Sequence, residues 1–366
     1  MSIIHKKKIL FLNANLQTGG AERQMVTVAR LLKKRGYDVS FYCYGDGNFY
    51  EHLLQEDGIP VVWDYSFSNI AKRLCKTRRF IRRGKYDVVI SFLLPVNFLN
   101  IFSGLGYKKW KVITGLRHCP DVRITYFKER FYLWFQSFSD AIVSNSELAK
   151  TRWIGNFKRN GDKLHVIYNH VNIGTINSEY IPKVDGRLHI VVAASYQHLK
   201  NPMGVVDALK QMTAEERNKI VIDWFGGNTE SDAYKETATA IKDFGLGDVM
   251  FLHEATKNIN DVMNQSDVAM LVSKEEGLPN AICEGMALGK PVVMTRVSDY
   301  EVLVDETNGV LCDWDNPSTI KQAILSLANL SVEQLKDKGS NSKKKAQALF
   351  SGDSVANAWE AIINQK

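Results

Sequence analysis

The feature that most constrains the fold is an alternation of short apolar runs with longer stretches of helical period, and it occurs twice. Lys8–Asn13 is an apolar run ended by Asn and later Gly, which reads as a strand and a turn. Ala21–Arg35 then carries Met25, Val26, Val28, Ala29, Leu31 and Leu32 at helical spacing and stops at Gly36. Asp38–Tyr44, Asp87–Phe92, Lys111–Gly115 and Ala141–Ser144 read as further strands with helical stretches between them. Such alternation implies parallel βαβ units in a doubly wound sheet. The pattern restarts with strands at Leu188–Ala194, Ile220–Phe225, Met250–Leu252, Val268–Val272 and Pro291–Thr295. Helices are expected between them at Pro202–Met212, Ser231–Phe244 and Ala281–Leu288.

A chain of 366 residues is long enough for two domains of ordinary size. The expected division is a Rossmann-like domain over 1–183, a second over 184–350, and a final helix over 351–366 that crosses back to the first. Ile181–Gly186 fits as the linker. The fold class is therefore α/β: two Rossmann-like domains facing each other across a cleft, where ligands bind in this architecture.

Charge is unevenly placed. Residues 1–170 carry 28 Lys+Arg against 13 Asp+Glu, and the rest carry 19 against 27. A basic half suits anionic lipid, nucleic acid or an acidic saccharide, and equally a solvated surface. The five cysteines (Cys43, Cys75, Cys119, Cys283, Cys312) are odd in number and form no CxxC pair. Neither a disulfide framework nor a zinc site follows, so a reducing, cytoplasmic setting is expected. The apolar run after Lys6-Lys7-Lys8 stops at Leu12, too soon for a signal-peptide core. The longest apolar stretch, near Ile90–Leu105, is broken by Pro95, Asn97, Asn100 and Gly104, so no transmembrane span is expected.

The segment Glu275-Glu276-Gly277-Leu278-Pro279-Asn280-Ala281-Ile282-Cys283-Glu284 follows the strand Val268–Val272 and opens a helix. Backbone N–H groups at a helix start, with the helix dipole, favour an anion such as a diphosphate. Two acceptor-only carboxylates beside a phosphate site make sense if hydroxyl-rich groups flank the phosphates: a sugar on one side and a ribose on the other. The plainer alternative is a helix-capping acid and a surface acid.

Those residues, with Ser273, Gly285, Met286, Ala287, Gly289, Pro291, Val292 and Val293, resemble the E-x7-E region of retaining glycosyltransferases of family 4, which have the GT-B fold. Weaker matches occur in the family's order. Thr18-Gly19-Gly20-Ala21-Glu22 resembles its glycine-rich first turn, and Val143-Ser144-Asn145-Ser146 a segment late in the first domain. Ile167-Tyr168-Asn169-His170-Val171-Asn172 resembles the N-G-V-D turn, without its Gly and Asp. Ala194-Ser195 through Lys200-Asn201 resembles the G-R-x-x-x-x-K-N strip, and Phe225-Gly226-Gly227 the G-x-G turn.

The resemblance implies an acceptor-binding first domain and a nucleotide-sugar-binding second one. It implies that Glu276 contacts donor-sugar hydroxyls, Glu284 the ribose, and the backbone of Gly277, Leu278, Pro279 and Asn280 the sugar and diphosphate. Lys200 would neutralise the diphosphate as the glycosidic bond breaks, a large electrostatic contribution. Gly20, Ser195, Asn201 and Gly226 complete the implied donor contacts. His118 would hydrogen-bond the sugar, so the implied catalytic residues are Glu276, His118 and Lys200. One departure stands out: the family has arginine where this chain has Ser195, which can donate one hydrogen bond but no charge. Arg296 is a candidate substitute.

Tyr126–Phe135 is aromatic and basic at helical spacing, and Lys72–Lys85 is dense in basic residues with no acid. Either suits a lipid-linked acceptor or a membrane surface, and either fits a helix with one solvated face.

The expected function is retaining transfer of a sugar from a nucleotide-diphosphate donor, with UDP the expected nucleotide. The acceptor is a glycan or polyprenyl-linked oligosaccharide in cell-surface polysaccharide synthesis. The site is expected to lie in the cytoplasm or on the inner face of the membrane. No cofactor is expected and no metal, since the chain has no His/Cys ligand cluster. An epimerase of the same fold would need acid/base groups throughout its cleft, and a phosphorylase a lysine-held pyridoxal phosphate. A non-enzymatic basic protein binding nucleic acid is the remaining alternative, told apart by salt-dependent oligonucleotide binding; nucleic acid is not the expected partner.

Overall fold

Runs such as Lys8–Asn13 are apolar at nearly every position because a parallel strand is covered by helices on both faces. The computed structural model describes residues 6–65, 70–106, 108–117, 119–120, 126–171 and 185–365. The chain divides into two units, one of Met1–His170 with Gly352–Lys366 and one of Val171–Ser351.

The first unit holds seven parallel strands: β1 (Lys8–Asn13), β2 (Asp38–Cys43), β3 (Val61–Trp63), β4 (Val88–Ser91), β5 (Lys111–Leu116), β6 (Ala141–Ser144) and β7 (Leu164–Val166). Their spatial order is β3-β2-β1-β4-β5-β6-β7, so the chain reverses direction across the sheet between β1 and β4. Phe11 lies beside Phe41 of β2 and Ile90 of β4. Ile9, Phe11, Val39, Phe41, Ile90 and Val143 form one face, packed on Met25, Val28 and Leu32 of the helix Gly20–Lys34. Leu10, Leu12, Tyr42, Val89 and Val112 form the other, packed on Ile81, Val96 and Leu99.

The helix Gly352–Asn364 belongs to this unit, burying Val355, Trp359 and Ile363 against its core. Its last carbonyls are met by cations: Lys7 Nζ donates to Ile363 O and Lys111 Nζ to Ile362 O, each at 2.7 Å. Cations at a helix C-terminus offset its orphan carbonyls and its dipole. Arg35 adds an ion pair to Asp353 at 2.7 Å.

The second unit holds β8 (Leu188–Ala193), β9 (Ile220–Gly226), β10 (Met250–Glu254), β11 (Val268–Leu271), β12 (Val292–Thr295) and β13 (Gly309–Cys312). They are parallel in the order β10-β9-β8-β11-β12-β13, again reversing beside the first strand of the unit. Its core joins Ile190, Val192, Ile222, Trp224, Met270 and Val293 to Val205, Leu209, Ile320 and Ile324 of the flanking helices. At Gly285 the helix Asn280–Ala287 meets β11 so closely that a Cβ would lie 2.5 Å from the Ala269 Cβ. Both units are thus parallel α/β sheets of Rossmann-like type. Three strands had no clear sequence signature: β3, β7 and β13 are sheet edges of three or four residues with half-buried positions.

Candidate active site

The site in the second unit grows from the carboxyl ends of β8, β11 and β12. Beyond β8, Ala194 N donates to Phe225 O and Tyr196 N to Gly227 O, which carries the chain along β9 past its end. A Cβ on Gly226 would lie 2.1 Å from Ala194 O, so only glycine permits this approach. A short 3-10 turn, His198–Lys200, follows, and Asn201 takes a left-handed φ of 61° to start the helix Pro202–Lys210. Asn201 tolerates that conformation well. Its side chain donates to Trp314 O at 2.9 Å, so its amide is held by the protein itself.

This turn delivers Lys200 to the loop after β11. Lys274 N donates to Leu199 O at 2.8 Å and ties the two loops together. Lys200 Nζ then donates to Glu276 Oε1 at 2.6 Å, and Ser273 Oγ donates to the same oxygen at 2.7 Å. Ser273 is fixed in turn, because Thr295 Oγ1 of β12 donates to its carbonyl at 2.7 Å. Glu276 is only 11% exposed and Lys200 21%, so the pair is shielded from bulk water and weakly screened. Oε2 of Glu276 makes no hydrogen bond among the described residues.

Gly277–Asn280 leads from Glu276 into the helix Asn280–Ala287. Ile282 N and Cys283 N both donate to Pro279 O, and Asn280 N donates to Leu278 O. The N–H groups of Gly277, Leu278 and Ala281 have no partner among the described residues. Three N–H groups near a helix N-terminus, beside a lysine, are suited to an oxyanion. Ser298 Oγ donates to Gly277 O and holds the loop from the β12 side. The Leu278 side chain is buried, so only its backbone can serve a ligand. Glu284 stands on the partly exposed side of the helix, while Ile282, Cys283 and Met286 face the core.

Ser195 is half-buried beside Gly226. Arg296, the candidate substitute for the missing arginine, is engaged with Asp313 at 2.8 Å. In the first unit, Gly20 opens the helix Gly20–Lys34, and a Cβ there would meet nothing within 4 Å, so packing does not demand glycine. His118 lies outside the described residues. In the Asn169-His170 turn, His170 exchanges two hydrogen bonds with Gln24, each at 3.1 Å.

Sequence reasoning gave no role to Thr295, Ser298 or Lys274. Each acts through a backbone contact between loops, and only Ser273 had a signal, its place in the pattern three residues before Glu276. Among the described residues, no group of three or more His, Cys, Asp or Glu is placed to hold a metal ion.

Two parallel α/β units, with a cation, an acid and free N–H groups at the strand ends of the second, define a GT-B glycosyltransferase. Residues 18–174 match the family described as Glycosyltransferase Family 4, and residues 187–329 match Glycosyl transferases group 1. The chain belongs to the family 4 glycosyltransferases. It is 24% identical, over 97% of its length and 98% of the relative's, to a Campylobacter jejuni GalNAc-alpha-(1->4)-GalNAc-alpha-(1->3)-diNAcBac-PP-undecaprenol alpha-1,4-N-acetyl-D-galactosaminyltransferase. It is 21% identical to the amylovoran biosynthesis glycosyltransferase AmsD of Erwinia amylovora, covering 98% of this chain and 99% of that one. The crystal structure of Anabaena HepE in complex with UDP superposes with a TM-score of 0.79 at 20% identity, over 97% of this chain and 98% of that one.

Proposed function

We propose that the enzyme transfers a sugar from a UDP-sugar, with retention, to a lipid-linked oligosaccharide during cell-surface polysaccharide synthesis. The Lys200–Glu276 contact carries the reading. One oxygen of Glu276 is fixed by Lys200 and Ser273, which leaves Oε2 to accept from a donor-sugar hydroxyl. Lys200 is then positioned for the diphosphate, together with the N–H groups of Gly277, Leu278 and Ala281. Glu284 takes the ribose. The leaving diphosphate is stabilised by these groups without a bound metal, and it removes the acceptor proton on the same face. The Campylobacter relative acts on an undecaprenol-linked oligosaccharide and the Erwinia relative serves polysaccharide synthesis, which supports the acceptor class. The UDP complex of HepE supports the nucleotide.

The same reading places the enzyme at an anionic membrane surface. The helix Ile70–Gly84 is rich in Arg and Lys, and it packs on the helix Leu94–Gly104, which packs on the helix Phe127–Gln136. Phe98 joins the last two of these helices through ring contacts to Phe131 and Phe135. Tyr126 is 72% and Phe127 84% exposed, with Trp134 and Phe138 about half exposed beside them. Exposed aromatic side chains on one helix and basic residues on another suit a lipid interface. No helix among the described residues is long and apolar enough to cross a membrane.

A thermal-shift panel of nucleotide sugars tests the donor. A UDP-sugar should raise the melting temperature most, because a ligand that binds only the folded state stabilises it. No shift from any nucleotide sugar would overturn the reading. Anomeric configuration of the product by NMR tests retention. Co-sedimentation with anionic against zwitterionic vesicles tests the membrane contact, which should weaken with salt.

A further inference from the structure

Among the described residues, Arg117 is a cation without a counter-charge. It stands one residue past the Leu116↔Ser144 register pair of β5 and β6, at the carboxyl edge of the first unit's sheet. Its guanidinium carbon lies 3.7 Å from the centre of the Phe92 ring, and Phe92 is buried against Trp359. A Cβ on Gly115 would lie 3.1 Å from Arg117 Nε, so the strand floor presses on the same group. Among the described residues, Nε has no hydrogen-bond partner, and Nη1 donates to the neutral Asn169 Oδ1 at 3.3 Å. No carboxylate among the described residues pairs with it. Desolvation pulls the guanidinium pKa down to about 9.

A charge taken out of water is costly unless it is paired. The lysines at the opposite edge of this sheet are each met by a carboxylate or a backbone carbonyl: Lys7 and Lys111 cap carbonyls of Ile363 and Ile362, Lys108 pairs with Asp140, and Lys163 donates to Ser139 O. Arg117, at the strand ends where α/β sheets take their ligands, meets neither among the described residues. Two other polar atoms there lack partners among the described residues: Asn13 Oδ1 on β1 and Asn145 Oδ1 beyond β6, both on residues more than nine-tenths buried.

We propose that Arg117 receives an anionic group of the acceptor, so that the enzyme selects acceptors carrying a phosphate or a carboxylate beside the sugar. This inference rests on the transferase reading above and names the acceptor chemistry. A planar fork stacked on an aromatic ring is pre-organised for two-oxygen recognition of either anion. Arg117 is a specificity-determining residue here, while the donor site lies in the second unit.

The test is calorimetry on the full chain with UDP saturating, which keeps the probes out of the donor site. Decyl diphosphate, methyl glucuronide and the neutral decyl glucoside are titrated into wild type, Arg117→Gln and Arg117→Lys. At least one anion should bind wild type, and Arg117→Gln should weaken it by about 10- to 100-fold. Decyl glucoside binding and the UDP dissociation constant should not change. Arg117→Lys should weaken the anion several-fold, since it keeps charge but loses the fork. Preference for decyl diphosphate identifies the phosphate of a lipid carrier, and preference for methyl glucuronide identifies an acidic sugar. The proposal is overturned if neither anion binds wild type more tightly than decyl glucoside, or if both variants bind as wild type does. Should Arg117→Gln lose its fold, Arg117→Lys decides: unchanged anion affinity rejects the proposal. Failure of UDP itself to bind wild type is a separate result that rejects the donor reading.

Discussion

Lys200 Nζ lies 2.6 Å from Glu276 Oε1, and the two residues are 76 positions apart in the chain. Two loops from different strands therefore meet at one carboxylate oxygen, which Ser273 also holds. Lys200→Met should lower kcat/KM by about 10²- to 10³-fold, the scale for removing one group that stabilises a developing charge. Ser273→Ala should cost only about 3- to 10-fold, the scale of one hydrogen bond. Steady-state transfer assays check both; an equal effect of the two variants would contradict this division of labour.

Two glycines separate packing from ligand binding. Gly226→Ala would push a Cβ to 2.1 Å from Ala194 O, so it should destabilise the second unit by about 1–3 kcal/mol. Gly20→Ala meets nothing within 4 Å and should leave stability within about 0.5 kcal/mol. Urea melts measure both. If Gly20→Ala keeps stability and loses activity, the glycine serves a ligand approach; if it keeps both, the turn is ordinary.

These glycines also show what the sequence could and could not convey. Alternating runs revealed the two sheets because parallel strands are buried on both faces, and the spacing of Glu276 and Glu284 pointed to the loop and helix of the candidate site. The edges β3, β7 and β13 escaped, since three or four half-buried residues carry no clear period. Gly226 and Asn201 matched a family pattern, yet the structure gives them packing and backbone work that a pattern cannot distinguish from ligand contact. Thr295 and Ser298 act on loop carbonyls, contacts visible only once the chain has folded.

Asp305 gives a pH-dependent prediction. A hydrogen bond from Lys345 comes first among the causes that hold its carboxyl at about 2, below the ordinary 3.8. A depressed carboxyl stabilises the fold above its unfolded value and loses that contribution as pH falls through the folded one. Lys345→Met should therefore lower stability at neutral pH, and the gap to wild type should close between about pH 4 and pH 2. The Asp305 side chain is 47% exposed, so the gap should stay under about 1 kcal/mol. A gap that widens in acid would contradict the assignment.

Trp359 anchors the final helix in the first unit. It is 1% exposed and stacks on Phe92 at 5.8 Å between ring centres. Trp359→Ala should cost about 3–5 kcal/mol in chemical denaturation, the range for truncating a buried aromatic. A loss below about 1 kcal/mol would mean that this helix contributes little to the core.

The most direct test of the donor site is calorimetric titration of UDP, without a sugar, into wild type, Lys200→Met and Glu276→Gln. Lys200 is assigned to the diphosphate and Glu276 to the sugar. UDP affinity should therefore fall by about tenfold or more in Lys200→Met and stay near wild type in Glu276→Gln, while transfer activity falls in both. Equal UDP affinity in wild type and Lys200→Met, or an equal loss in both variants, would contradict the account.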